Sequence, residues 1–387
     1  MNAAFMSRAL ELAGRGLYTT DPNPRVGCVL VKDGRIVGEG WHERAGEAHA
    51  EVHALRAAGP AARGAVAFVT LEPCCHLGRT PPCADALIEA GVARVVCAVA
   101  DPNPRVAGGG LTRLRAAGIA VECGLMAAEA RAQNPGFFSR FERGRPFIRL
   151  KLAMSLDART APAAVGPAAG AAAAAGPHWI TDAASRADVQ ALRAQSSAVL
   201  TGAGTVRADD PRLNVRLDYG PWVRQPLRIL LDTDLRCRAD ARMLKDAGAM
   251  VFAALDAPQP QAAGRSDVTR VRIERVARGP RGLDLEAVVR RLAQLDVNEL
   301  LVECGPGLAA GFLEAGLVDE LILYVAPHFL GRDAQPLTAL AALGRVAGAG
   351  VADTGDPGAA GRLPRFAFRD VKLLDNDLRL TLAPTRQ

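Results

Sequence analysis

Apolar positions over the first 125 residues change period several times, and each change marks an element. Phe5, Ala9, Leu12 and Ala13 recur at helical spacing until Gly14 and Gly16 interrupt them. Val26–Val31 is a strand run. Asp33-Gly34 signals a hairpin turn and Arg35–Gly40 returns. The pattern then predicts a helix over His49–Ala58, a buried strand over Ala65–Leu71, and a helix over Pro82–Ala90 stopped by Gly91. A strand over Val95–Val99, a helix over Leu111–Ala117 and a strand over Ile119–Cys123 follow. Such alternation builds a layered α/β domain.

Asn134-Pro135-Gly136 and Arg143-Gly144-Arg145-Pro146 are breakers, which puts a boundary near residue 145 and divides the chain into 1–145 and 146–387. A second alternation begins there. Strands are expected at Phe147–Leu152, Ala198–Thr201, Leu227–Leu231, Met250–Ala254, Leu300–Val302 and Glu320–Val325. Helices are expected at Asp182–Gln195, capped by Thr181 or Asp182, at Leu285–Leu295, and from Leu308 after a Gly-Pro-Gly turn. Ala161–Gly176 and Arg345–Arg362, rich in Ala, Gly and Pro, read as inserted surface loops. Asp-Pro-Asn-Pro occurs at 21–24 and at 101–104, each copy a rigid turn signal.

Composition narrows the function. The 387 residues favour two domains, and 49% hydrophobic content favours a compact fold over disorder. The formal charge is +6, carried almost wholly by arginine, because lysine occurs only at Lys32, Lys151, Lys245 and Lys372. Arginine forks suit phosphate. There is no long basic run, and aromatics are only 4%, too few for base-stacking platforms; a small phosphorylated molecule is expected rather than nucleic acid. No apolar run reaches membrane-spanning length and the N-terminus lacks a signal-peptide core, so no membrane partner and a cytoplasmic location are expected. Eight cysteines in that setting point to thiolate ligands or buried thiols.

The strongest chemical signal is His49-Ala50-Glu51, then Pro73-Cys74-Cys75-His76, then Cys83. Zinc held by three protein ligands keeps a position for water and lowers its pKa to about 7, and a neighbouring carboxylate can move the proton to a leaving amine. This is similar to the zinc-deaminase signature, except that eight residues separate Cys74 from Cys83, so spacing leaves Cys75 and His76 as competing ligands. Cys28, Cys97 and Cys123 fall inside strand patterns and read as core; Cys237 and Cys304 have no partner pattern. His42 and His53 read as surface or helix residues, and His328 as structural. A nucleic-acid base deaminase and a purely structural zinc fold compete with this reading. Sparse aromatics oppose the first, and Glu51, which a structural site does not need, opposes the second.

The stretch Thr70-Leu-Glu-Pro-Cys-Cys-His-Leu-Gly-Arg-Thr-Pro-Pro-Cys83 resembles the bifunctional riboflavin-biosynthesis deaminase/reductase family. So do Asp21–Gly27, His49–Glu51, Asp101–Pro104, Lys151–Asp157, Trp179–Thr181, Leu192–Gln195, Thr205–Pro211 and Val302–Pro306, in that order. The resemblance implies a cytidine-deaminase-like three-layer α/β domain followed by a dihydrofolate-reductase-like α/β domain. It implies zinc on His49, Cys74 and Cys83, Glu51 as proton shuttle, and Asn23 at the pyrimidine ring. It places Ala153, Trp179, Thr205, Asp209, Thr233, Gly305, Pro306 and Gly307 near NADPH. Arg193, Leu213, Arg216 and Glu303 fall near the substrate, and Lys151 acts at the ribose. Arg193 and Arg216 would clamp the 5′-phosphate. The implied chemistry is deamination of a diamino-pyrimidinone ribonucleotide phosphate, then reduction of its ribosyl group to ribityl, in a homo-oligomer. Three departures bear on the reductase. Ala158 replaces the usual glycine, the loop before Trp179 is about ten residues longer, and Pro177 stands where a substrate-contacting serine is expected. They predict weaker substrate binding there and, as the alternative, a deaminase with an impaired reductase.

Overall fold

A computed structural model describes residues 2–75, 81–162, 179–258, 271–340 and 365–385. Both expected Ala/Gly-rich loops fall largely outside these residues, as do His76 and Pro177. The chain divides into two compact units. One comprises Met1–Phe147 with Asp218–Arg224 and Leu292–Glu299; the other comprises Ile148–Leu217, Gln225–Arg291 and Leu300–Gln387.

The first unit is a three-layer sandwich. Its strands β1 (Gly27–Lys32), β2 (Arg35–Trp41), β3 (Val66–Val69), β4 (Arg94–Cys97) and β5 (Ala120–Cys123) form a sheet in the order β2-β1-β3-β4-β5. β1 is antiparallel to both β2 and β3, whereas β3, β4 and β5 run parallel. Each central strand is apolar on both faces, so each residue in turn meets a different helix layer. Cys28, Leu30, Ala67, Val69 and Val95 pack under α2 (Ala50–Ala58), α3 (Cys83–Glu89) and α4 (Gly109–Ala116). Val29, Val31, Phe68 and Val96 pack under α1 (Asn2–Gly14), α5 (Ala127–Gln133) and α6 (Pro135–Arg143). The predicted hairpin turn is real: Asp33 and Gly34 have φ of 50° and 74°, the two positive angles of a type I′ turn.

Two expectations fail here, for identifiable reasons. Cys123 is exposed, because β5 is the sheet edge and Cys123 its last residue. The Asn134-Pro135-Gly136 breaker opens a helix rather than a linker. Proline is favoured in a first turn, and the Asn134 side chain is committed to the Arg25 backbone, at 2.8 Å to its N–H and 2.9 Å to its carbonyl. Helix α5 escaped the pattern because only Ala130 is buried in it.

The second unit carries a nine-stranded sheet. Its order is Arg272–Val276, Ala249–Ala254, Leu227–Leu231, Ala198–Gly202, Glu299–Glu303, Phe147–Ser155, Glu320–Ala326, Asp377–Pro384 and Phe366–Leu374. The last two strands are antiparallel to their neighbours, and Phe366–Leu374 is mostly exposed, so neither hydrophobic run announced it. Asp182 caps the helix Ala183–Gln195, accepting the Ser185 N–H at 3.2 Å. The helix expected from Leu308 begins at Pro306, again with proline in its first turn.

Ala158, the residue standing in place of glycine, sits at φ 56°. In that left-handed region a Cβ crowds the backbone at a cost of about 1 kcal/mol. Ala158→Gly is therefore expected to raise the unfolding temperature of this unit by about 2–4 °C; a scanning-calorimetry trace with no rise would mean that the turn carries no strain.

Candidate active sites

The first site grows from helix starts. His49 stands at the N-cap position of α2, with Glu51 in its first turn, and Cys83 opens α3. Cys74 lies in the coil after β3, and its backbone carbonyl accepts the Ala84 N–H at 3.1 Å, which folds the eight-residue spacing back on itself. His49 Nδ1, Cys74 Sγ and Cys83 Sγ all lie within 4.8 Å of one another, with Nδ1 3.2 Å from Cys83 Sγ and 3.5 Å from Cys74 Sγ. Donors at about 2.0–2.3 Å around one tetrahedral zinc stand roughly 3.5 Å apart, so an ion fits between them. A nitrogen with two sulfurs is also a donor set that zinc takes.

Electrostatics prepare these groups. The Cys74 thiol is held down to about 4 by its hydrogen bond with Cys83, against burial and with help from His49 and the Cys83 N–H, which reaches Cys74 Sγ at 3.3 Å. Glu51 is buried, which pushes its pKa up, with His49 opposing. Cys75 stays out of the cluster: its thiol reaches toward the Val106 carbonyl at 3.9 Å, and burial raises its pKa.

Three supporting residues were not legible in the sequence. Glu72 is buried and accepts four backbone N–H groups, from Asp101 (3.1 Å), Gly108 (3.0 Å), Gly110 (3.0 Å) and Leu111 (3.2 Å). It thus anchors the segment before α4 and the first turn of that helix, two residues from Cys74. His42, expected at the surface or on a helix, is 2% exposed and follows the strand β2. Its Nδ1 lies 3.0 Å from the Ala48 carbonyl and its Nε2 3.1 Å from Asn23 Nδ2. A carbonyl can only accept, so Nδ1 carries the proton, Nε2 accepts, and the Asn23 amide is fixed with Nδ2 toward the ring. Burial lowers the His42 pKa, in keeping with that neutral form. The third is glycine: at Gly40 a Cβ would lie 2.4 Å from the Ala50 carbonyl and 2.5 Å from the Ala54 nitrogen, so only hydrogen lets α2 sit this close to β2.

The second unit holds a cavity of about 1180 Å³. Lys151, Ala153, Trp179, Arg193, Thr205 and Asp209 line it. So do Leu213, Arg216, Thr233, Glu303 and Gly305–Gly307, so the described residues that the resemblance placed near cofactor or substrate face one space. Glu303 ends its strand, and the Arg193 fork grips it at 2.6 and 2.9 Å, with a further bond to the Asn214 carbonyl at 3.2 Å. Arg193 is buried, not a solvated arginine, and most of its donors are spent inside the protein. Burial would raise the Glu303 pKa, but Arg193, Lys151 and Arg216 together hold it below the usual carboxylate range. Lys151 shows the opposite balance: burial lowers its pKa and Glu303 only partly restores it. Arg212 and Arg242, which no sequence signal distinguished, line the same cavity; their charges add to burial and Arg193 in lowering the Arg216 pKa. The Gly305 N–H donates to Thr205 Oγ1 at 3.1 Å, just before the helix Pro306–Glu314, whose first turn faces the cavity.

Comparison with known proteins agrees with this division of labour. Residues 1–99 match the cytidine and deoxycytidylate deaminase zinc-binding region, and 146–345 match the RibD C-terminal domain. The chain is 48% identical over 388 residues to the riboflavin biosynthesis protein RibD of Escherichia coli (strain K12), covering 98% of each. It is 43% identical to that of Haemophilus influenzae, covering 99% of this chain and 97% of the relative. Among solved structures, form 1 of Acinetobacter baumannii RibD superposes with a TM-score of 0.84 at 42% identity, covering 100% of this chain and 99% of that one. The diaminohydroxyphosphoribosylaminopyrimidine deaminase/5-amino-6-(5-phosphoribosylamino)uracil reductase of Thermotoga maritima gives 0.78 at 31% identity, covering 99% of each.

Proposed function

Because the chain belongs to the RibD family of riboflavin biosynthesis proteins, we propose that the two sites carry out consecutive steps on one phosphorylated pyrimidine. The protein is a bifunctional enzyme, a zinc-dependent deaminase and a reductase that uses NADPH. The deaminase half is taken as 1–145 and the reductase half as 146–387. The observation that carries the reading is the convergence of His49, Cys74 and Cys83 within 4.8 Å, with a buried carboxylate two residues from the histidine.

His49, Cys74 and Cys83 would hold the zinc. Zinc, when bound, supplies a water that is nucleophilic near neutral pH. Glu51 would take a proton from the attacking water and pass it to the departing amino group, so that ring C–NH2 becomes C=O and ammonia leaves. Asn23, fixed by His42, presents its free Oδ1 to the pyrimidine edge.

In the reductase cavity, NADPH, when bound, supplies the hydride that opens the ribosyl group to ribityl. Thr205, Asp209, Thr233, Trp179, Ala153 and Gly305–Gly307 line the cavity and would hold the cofactor, whose phosphate the start of the helix Pro306–Glu314 would receive. Leu213 and Glu303 border the substrate. Arg216, whose fork is not spent on a carboxylate as that of Arg193 is, takes the 5′-phosphate. Lys151 Nζ delivers the proton to the ribose oxygen. Its depressed pKa sets the pH dependence: the donor is lost as pH rises through that value, so reduction should fall off below the ordinary 10.5. Lys151→Met should slow NADPH oxidation by about 100-fold or more and remove that alkaline limb; a variant keeping both would take the proton away from Lys151.

No helix among the described residues is long and apolar enough to cross a membrane. A cytoplasmic homo-oligomer is the assembly proposed. The alternative of an impaired reductase finds no support, since the C-terminal family model spans 146–345. A coupled assay tests the whole reading. Ammonia release from the diamino-pyrimidinone nucleotide should be followed by NADPH oxidation; ammonia alone would leave the second site without its function, and neither product from zinc-loaded enzyme would overturn both.

A further inference from the structure

Away from the metal cluster, the first unit holds a second pair of thiols. Cys97 ends β4, Cys123 ends β5, and the two are direct partners in the parallel register. Directly paired residues leave a sheet on the same face, with strands about 4.8 Å apart. That spacing lies inside the roughly 4.4–6.8 Å that a disulfide spans between Cα atoms. The environments are unequal. Cys97 is fully buried, its thiol donating to the Val99 carbonyl at 3.1 Å, whereas Cys123 is exposed. Because β5 is the sheet edge and Gly124 follows at φ 122°, Cys123 has a strand on one side only and room to close on its neighbour.

An accessible thiol to be oxidised beside a buried thiol to resolve it is the arrangement a redox-active pair requires. We propose that Cys97 and Cys123 form a hydroperoxide-oxidisable pair that closes reversibly to a disulfide tying β4 to β5. The neighbouring Cys97 supports this by holding the Cys123 thiol below its ordinary range, against burial and Glu72 and with Arg115 assisting, so Cys123 is the more readily ionised of the two. In the first step the Cys123 thiolate attacks one oxygen of hydrogen peroxide. The O–O bond breaks, hydroxide leaves, and Cys123 becomes a sulfenic acid. The Cys97 thiol then displaces the sulfenic hydroxyl, which departs as water, and the S–S bond forms. Two electrons pass from the two sulfurs to the peroxide, which ends as two waters once the hydroxide is protonated. A dithiol reductant reverses the change. The pair needs no metal, so the inference stands apart from the assignment of the zinc site.

The test uses the full-length, zinc-loaded enzyme, treated with hydrogen peroxide, alkylated and digested for mass spectrometry. The expected product is a Cys97–Cys123 linked peptide, two hydrogens lighter than its parts, lost on dithiothreitol treatment and absent from Cys123→Ser. Cys97→Ser keeps the exposed thiol but removes the resolving one, so it should accumulate dimedone-reactive sulfenic acid at Cys123. The proposal is overturned if Cys123 in the wild type stays fully alkylatable. Oxidation to an unlinked sulfinic acid, or a link that joins Cys74 to Cys83 instead, also overturns it.

Discussion

Glu51→Gln leaves zinc bound and lowers ammonia release by about 10³-fold or more, the scale of a lost general acid–base group. The side chain sits in the first turn of α2, 3% exposed, two residues from His49. Glutamine keeps its shape and loses its ability to carry a proton. Burial pushes the carboxyl pKa up, so its working, ionised form is lost as pH falls. The wild-type rate should therefore have an acid limb, which the variant lacks. Metal analysis beside the rate measurement separates the two roles of this corner. A variant that loses zinc has lost its fold or ligands, whereas one that keeps both zinc and full rate removes Glu51 from the chemistry.

Gly40→Ala is expected to be nearly as damaging, though it touches no ligand. The new methyl group would meet the backbone of α2 at 2.4 and 2.5 Å, and helix backbone cannot rotate away as a side chain can. Overpacking of this kind costs about 3 kcal/mol. The helix is pushed outward at Ala50, the residue after His49, so zinc affinity should fall by about 10- to 100-fold, as when the support of a metal ligand is lost. Thermal unfolding and a competitive zinc titration check the two effects. An unchanged affinity in a folded variant would mean that the glycine seat does not aim His49.

The half-site at the helix starts was legible in the sequence because its parts are local. His49-x-Glu51 needs only one helix turn to bring ligand and carboxylate together, and Gly91 ends α3 where the pattern stopped. The ligand choice was different. Spacing left Cys75 and His76 open against Cys83, and it is the turn joining Cys74 to Ala84 that brings Cys83 into the cluster and the packing near Gly109 that keeps Cys75 out. Glu72 and His42 were missed for the same reason: a carboxylate that gathers four N–H groups from residues 101 to 111, and a histidine that orients an asparagine nineteen residues away, leave no periodic trace.

In the second half, hydrophobic runs revealed the buried parallel strands, since both their faces are covered and no polar alternation is needed. The closing strands at Phe366–Leu374 and Asp377–Pro384 stayed hidden, because the first is mostly exposed and the second buries only Asp377, Thr381 and Leu382, so neither forms a continuous apolar run. The cavity residues expected from the sequence came from resemblance, not pattern, because the lining is drawn from positions 151 to 335. Local periodicity thus determined the layered α/β class and the first turn of the deaminase site. Which thiols converge, which arginine is spent on Glu303 and which remain for a phosphate were decided by tertiary structure. Charge pairing and metal geometry depend on distances through space, which no local spacing encodes.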